Sequence, residues 1–320
     1  MLAAFITSPK TISVEEIPTP EPKADEVLVR VLYNAVCGSE FPGYLGISTG
    51  YPHYKHEANY PVGPFGHEAV GRVEKVGAQV KGFKTGDLVL AGGYYEYRVI
   101  SSEGLVTVPD GIPAKHAALT MAGLETLSAV EIMRASPDDE AVVLGAGPFG
   151  LMIVEHLREK GCKLIVCADI VKWRLAAARE LGATETIDAS KEPIAEGVAR
   201  LIPDGPTLSF DTTARAEPIR TLFKVARRFG RIGIYARAVE TIDNFEVEDI
   251  FHKQLEIRGL KCRDYSREIR ERTLEMIRQN QLHGEKLITH AFPLEKINEA
   301  FELAAVKKDG LKVLVQCSPE

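Results

Sequence analysis

A glycine pattern at Gly145-Ala-Gly147-Pro148-Phe149-Gly150 lies between two apolar runs, Ala141-Val-Val-Leu144 and Leu151-Met-Ile-Val154. These residue types at this spacing make a tight turn from a strand into a helix. The first glycine permits the turn, the second lets backbone approach a pyrophosphate, and the third lets the helix pack on the strand. The helix start then offers unpaired N–H groups and a partial positive charge to phosphates. A second apolar run, Leu164-Ile-Val-Cys167, leads to Asp169, about twenty residues past the turn. A carboxylate there accepts hydrogen bonds from a ribose 2′-hydroxyl and repels a 2′-phosphate, which favours NAD over NADP. The alternative is an ordinary strand–helix unit whose turn happens to be glycine-rich.

Two further clusters carry metal-ligand chemistry. One is Asn34-Ala-Val-Cys37-Gly38-Ser39-Glu40, the other Gly66-His67-Glu68. Thiolate and imidazole are preferred zinc ligands. A neighbouring carboxylate could complete the shell or orient the histidine. Spacing alone leaves this open, because a single Cys and a single His about thirty residues apart are seldom co-ligands.

The elements that must position these groups fall into two kinds. Up to about residue 115 the chain shows short strands at 27–32, 70–76, 87–90 and 97–100, separated by Gly- and Pro-rich turns. The N-terminal Met1–Ile6 reads as an edge strand. A helix is expected over 114–134. Strands at 141–146, 163–169, 185–188, 208–213, 231–236 and 255–260 then alternate with helices at 148–160, 172–181, 191–202, 216–228 and 246–254. That alternation predicts an α/β fold with a doubly wound, parallel, six-stranded sheet. A charged helix over 267–280 and a helix opening at Pro293 follow. The last strand, Leu311–Val315, needs a partner and is expected to pair back in the β unit. The domains are read as 1–115 plus 262–320 and 116–261.

Composition narrows the function. Thirty-nine basic and 45 acidic residues leave a net charge of −6 without a basic stripe, so nucleic acid is not an expected partner. No apolar run approaches membrane length. Five cysteines outside any CxxC pattern point to reduced thiols and a cytoplasmic location.

The motifs in this order resemble the medium-chain dehydrogenase/reductase superfamily, the zinc alcohol and polyol dehydrogenases: CGSE, GHEAVGRVEKVGAQVKGFKTGDLV, GGYYEYRVI, VLGAGPFG, FDTT, GRIGIYA and FPLEKINEAFELA. The resemblance covers nearly the whole chain. It implies a GroES-like, mostly-β catalytic domain beside a Rossmann NAD-binding domain. It also implies one catalytic zinc held by Cys37 and His67. Ser39 would take the substrate proton, Glu40 would orient His67, and Gly145, Gly147, Pro148, Phe149, Gly150, Asp169 and Arg174 would hold NAD. Ala122 stands where the family has its third ligand, so Glu68 is the expected replacement and Glu125 the alternative. Leu90 and Ala91 alone join GDLV to GGYYEY, which leaves no room for a structural zinc lobe. Pro42 replaces a proton-relay histidine, a role Tyr44, His53, His56 or water could take.

The implied activity is hydride transfer between NAD and a zinc-bound secondary alcohol or ketone in a homodimer or homotetramer. Polar aromatics between residues 41 and 65, including Tyr44, Tyr51, Tyr54 and Tyr60, suit a polyol, sugar or related hydroxylated small molecule. Two other readings stay open. One is a zinc-free enone or quinone reductase of the same fold. The other is an NAD-binding protein or lyase without net redox turnover.

Overall fold

In the computed structural model, residues 1–47, 60–236, 240–242, 247–261, 265–307 and 309–320 are described. Tyr51, His53, Tyr54 and His56, all named above for the substrate wall or proton relay, and Cys262 lie outside them. The chain divides into two compact units, Met1–Ala122 with Tyr265–Glu320, and Gly123–Asp264.

In chain order the strands are β1 (Leu2–Ser8), β2 (Thr11–Glu16), β3 (Glu26–Ala35), β4 (Ala69–Val76), β5 (Leu88–Ala91) and β6 (Tyr97–Ser101). Then follow β7 (Glu140–Leu144), β8 (Leu164–Asp169), β9 (Glu185–Asp188), β10 (Leu208–Asp211), β11 (Arg231–Ile234) and β12 (Glu256–Gly259), and finally β13 (Ile288–Pro293) and β14 (Lys312–Gln316).

The second unit is the doubly wound α/β fold expected from the alternation. All its strand pairs are parallel, and their order is β12-β11-β10-β7-β8-β9. β10 is buried throughout and β7 from its second residue on, because helices cover both faces of a parallel sheet and favour continuous apolar runs. Val142, Leu144, Val166, Ile187, Leu222 and Ile232 form part of one core on this sheet. In the helix Lys172–Leu181, Leu175, Ala178 and Leu181 are buried at helical spacing.

The first unit is the mostly-β one. β1 and β2 pair antiparallel. A second sheet has the order β13-β14-β3-β4-β5, with β6 also on β3. The late strand β14 pairs antiparallel with β3 through Leu314↔Ala35, Val315↔Asn34 and Gln316↔Tyr33. It therefore returns to the β unit, as its surplus over a completed six-stranded sheet requires. Two strands depart from the sequence reading, β2 and β13. The helix expected over 114–134 is divided into Ala114–Ala117 and Thr120–Ile132. At that break the Thr120 hydroxyl donates to the Ala117 carbonyl at 2.7 Å, a local alternative to helix bonding.

Tyr44 corrects a second expectation. It is buried in the core of this unit, its ring 5.1 Å from that of Phe301, so it is not part of a polar substrate wall. The Tyr60 hydroxyl is likewise engaged, donating to the Gly43 carbonyl at 2.7 Å.

Candidate active site

The ladder between β3 and β4 solves the spacing problem. Its register places Asn34 opposite Ala69, and the Ala35 N–H donates to the Glu68 carbonyl at 2.8 Å. Cys37 leaves one end of β3 just where His67 and Glu68 enter β4. Thirty residues of sequence therefore collapse to one point. Ligand-capable atoms of Cys37, His67 and Glu68 all lie within 4.8 Å of one another. Gly66 makes the approach possible. Its φ is +102°, and a Cβ there would meet the Tyr94 ring at 2.8 Å and Asn34 Nδ2 at 2.9 Å.

Around these three, side chains form a connected set. The Ser39 hydroxyl donates to Cys37 Sγ at 3.2 Å. Glu40 Oε2 accepts the Cys37 N–H at 3.3 Å and the Tyr94 hydroxyl at 2.9 Å. The first contact closes the short 3₁₀ turn Gly38–Glu40 in the manner of a capping box. Glu40 Oε1 is buried, makes no hydrogen bond and faces His67 Nδ1 at 3.6 Å. His67 itself remains 44% exposed.

Opposite them stands Lys312, which sequence reading missed. Val36 N–H donates to the Val313 carbonyl at 2.8 Å, so β14 brings Lys312 alongside Cys37. The Lys312 ammonium pairs with the Glu68 carboxylate, each side chain 1% exposed. Its only local signal is a lysine inside an apolar strand. Tyr94, the partner of Glu40, was also missed; it sits in the GGYYEY run without any pattern that marks it.

Electrostatics here is governed by burial. Burial and then the Glu68 charge push the Glu40 carboxyl up to about 8. Burial, with Glu68, also raises the Cys37 thiol well above its ordinary range. Burial works against the Lys312 ammonium, yet Glu68 and Cys37 hold it charged. Two carboxyls and a thiol thus share one ammonium among the described residues. A divalent cation fits this set. The donors are S, N and O of the types zinc prefers, a cation would favour the ionised forms that burial disfavours, and Glu40 Oε1 stands at the ring nitrogen that a metal-bound histidine turns outward.

Of the other candidates, Ala122 is fully buried and has no ligating atom. Glu125 belongs to the second unit, where its Oε2 accepts from the Tyr235 hydroxyl at 3.4 Å.

In that second unit the glycine turn follows β7 directly. Gly145 has φ +97°, and a Cβ there would meet Thr212 Oγ1 at 2.6 Å. A Cβ on Gly150 would lie 1.8 Å from the Gly145 carbonyl oxygen, whereas one on Gly147 would meet nothing within 4 Å. Gly145 and Gly150 are therefore demanded by the fold, while Gly147 leaves open space. Gly147 caps the helix Pro148–Glu159 without a side-chain hydrogen bond, so its first N–H groups face that space. A pyrophosphate fits this cradle. Asp169 closes the turn from β8. It accepts the Ala146 N–H at 2.7 Å and the Val171 N–H at 2.8 Å, and its carboxylate keeps lone pairs for a ribose. Phe149 packs on Tyr235 with ring centroids 5.3 Å apart. Arg174 lies over the Trp173 ring.

Comparison with known proteins agrees with this geometry. The alcohol dehydrogenase GroES-like domain matches residues 23–110, and the zinc-binding dehydrogenase family matches residues 148–279. The (R,R)-butanediol dehydrogenase of Bacillus subtilis is 26% identical, over 99% of this chain and 99% of its own. The sorbitol dehydrogenase of the same organism is 25% identical, over 98% and 97%. The crystal structure of the Bacillus subtilis 2R,3R-butanediol dehydrogenase superimposes with a TM-score of 0.85 at 26% identity, covering 100% of this chain and 99% of that one. No helix among the described residues is long and apolar enough to cross a membrane. With zinc and a nicotinamide dinucleotide as its general cofactors and small molecules as its substrates, the chain belongs to the zinc-type medium-chain dehydrogenase/reductase family and is an oxidoreductase of the alcohol and polyol dehydrogenase type.

Proposed function

We propose that this enzyme transfers hydride between NAD and a secondary alcohol or its ketone, the substrate being a polyol, sugar or related hydroxylated small molecule. The observation that carries the reading is the convergence of Cys37, His67 and Glu68 in a chain that also builds a dinucleotide turn. When bound, zinc supplies Lewis acidity that brings an alcohol pKa toward neutrality, and NAD supplies the hydride acceptor. Cys37, His67 and Glu68 would hold a single zinc, and Glu40 would orient His67 through Nδ1. Ser39 accepts the substrate's hydroxyl proton and passes it to solvent. Lys312 offsets the Glu68 charge in the site. Gly145, Gly147, Pro148, Phe149 and Gly150 receive the pyrophosphate, Asp169 the ribose, and Arg174 the adenosine side.

We further propose domains at 1–115 plus 262–320 and 116–261, a cytoplasmic location, and a homodimer or homotetramer joined through the edge strand β12, which ends its sheet. Ala122 favours the zinc-free reductase instead, and the Cys37–His67–Glu68 cluster opposes it.

Metal content of the purified protein, prepared without chelator, tests the reading. About one zinc per chain, lost in Cys37→Ser, with NAD reduction on a polyol panel, is the supporting result. A protein that binds NADH but no zinc, and leaves every polyol unoxidised, contradicts it.

A further inference from the structure

The first unit contains a cavity of about 270 Å³ beside the metal-ligand cluster. His67 lines it, together with Leu90, Met121, Glu103 and two arginines, Arg98 and Arg270. Its apolar part comes from Leu90 and Ala91 together with Ile100, Leu105, Val106 and Met121. Arg98 reaches it from β6. Gly92 leaves room for that guanidinium: a Cβ there would lie 2.5 Å from Arg98 Nη1 and 3.4 Å from His67 Cα. Arg270 reaches it from the helix Arg267–Arg278.

Neither guanidinium is spent. Arg98 Nη1 donates to the Gly92 carbonyl at 3.0 Å, and Arg270 Nη1 to the Gly104 carbonyl at 3.3 Å. Arg98 also hydrogen-bonds the Tyr95 hydroxyl, which leaves donors of its fork over. Arg270 Nε is buried and has no hydrogen-bond partner. Among the described residues neither arginine is in an ion pair, although surface arginines elsewhere in this chain usually are, such as Arg134 with Glu256 and Arg179 with Glu185. Each guanidinium carries five donors in a planar fork suited to phosphate or carboxylate. Two half-buried, unpaired forks on one small cavity are costly unless an anion completes them. Glu103 offsets only one of the two charges.

We infer that this cavity is an anion subsite, receiving a phosphate or carboxylate on the same substrate whose hydroxyl is bound at the Cys37–His67–Glu68 cluster. The inference rests on the dehydrogenase reading for the hydroxyl end, and it narrows the substrate class to phosphorylated polyols or sugars and to hydroxy acids. The volume suits a small ligand.

The test has two arms. First, inorganic phosphate is titrated calorimetrically into zinc-loaded protein saturated with NADH, which fills the dinucleotide turn, at constant ionic strength. Saturable binding, weakened about tenfold or more in Arg98→Gln and in Arg270→Gln, is expected. An unchanged thermal unfolding transition of the first unit, which holds both arginines, shows that the variants fold, and Arg270→Lys and Arg98→Lys serve if the glutamine variants do not. Second, kcat/KM is compared for a polyol, its monophosphate and the corresponding hydroxy acid. One of the anions should exceed the neutral polyol by about tenfold or more, and that ratio should fall in the variants. The stronger arm identifies phosphate or carboxylate as the source. A ratio near one for both anions overturns the inference while leaving the dehydrogenase reading intact, as does absence of saturable phosphate binding unless the hydroxy acid alone shows the raised ratio, which assigns the subsite to carboxylate. Phosphate binding without turnover of any substrate supports the subsite and removes the dehydrogenase reading instead.

Discussion

Replacing Lys312 by methionine isolates the electrostatics of the buried cluster. Methionine keeps the length and apolar stem but deletes the ammonium that pairs with Glu68, both groups being 1% exposed. Removing one partner of such a pair leaves an uncompensated charge, which costs about 3–5 kcal/mol. For a unit of this size the loss corresponds to a fall in Tm of roughly 6–20 °C. Scanning calorimetry of the chelator-treated protein measures it. Two companion measurements make the reasoning specific. Lys312→Met combined with Glu68→Gln removes both charges and should recover about 2 kcal/mol or more of the loss. Saturating zinc, if the cluster binds it, should stabilise the single variant more than the unaltered protein. A Lys312→Met protein within about 1 kcal/mol of the parent, or a double variant as unstable as the single one, would refute the argument.

Other perturbations separate the remaining roles. Glu40 has its carboxyl raised from 4.5 to about 8. Between those values the folded state keeps a proton that the unfolded state has lost, so the metal-free protein should lose stability as pH rises through that window. Urea titrations at several pH values should show this slope, and Glu40→Gln should flatten it. Gly150→Ala should destabilise the second unit by several kcal/mol through the clash with the Gly145 carbonyl. Gly147→Ala should fold normally and weaken NADH binding about tenfold or more, as fluorescence titration would reveal. Ser39→Ala should lower turnover on a polyol about a hundredfold or more with little change in NADH affinity, and normal turnover would remove Ser39 from the proton path.

The fold was legible where burial leaves a periodic mark. The parallel strands announced themselves as apolar runs, and the glycine turn could be read because Gly145 takes a positive φ and Gly150 answers to the Gly145 carbonyl inside the turn itself. β2 was not legible, since only Ile12 of its six residues is buried. β13 alternates half-buried and exposed positions around His290 and Thr289, too weak a pattern beside Pro293. At the site, residue types named Cys37, His67 and Glu68, but nothing local joined them. The Asn34↔Ala69 register did that. Lys312 lies 244 positions from its partner, and a buried lysine is intelligible only once that partner is known. Tyr44 was misread for the same reason: its neighbour Phe301 comes from a helix near the other end of the chain.

The return of β14 to β3 also fixes an order of events in the life of the polypeptide. A ribosome emits the residues of β3, β4 and the Cys37–His67–Glu68 cluster well before Lys312, with the whole Gly123–Asp264 unit in between. The continuous unit can close while still tethered, since domains generally fold as they emerge. The cluster waits, its carboxylates wet and its sheet lacking an interior strand, until Lys312 arrives. A nascent chain arrested near residue 300 should therefore already bind NADH yet show no high-affinity zinc site, making metal acquisition a late step of biosynthesis.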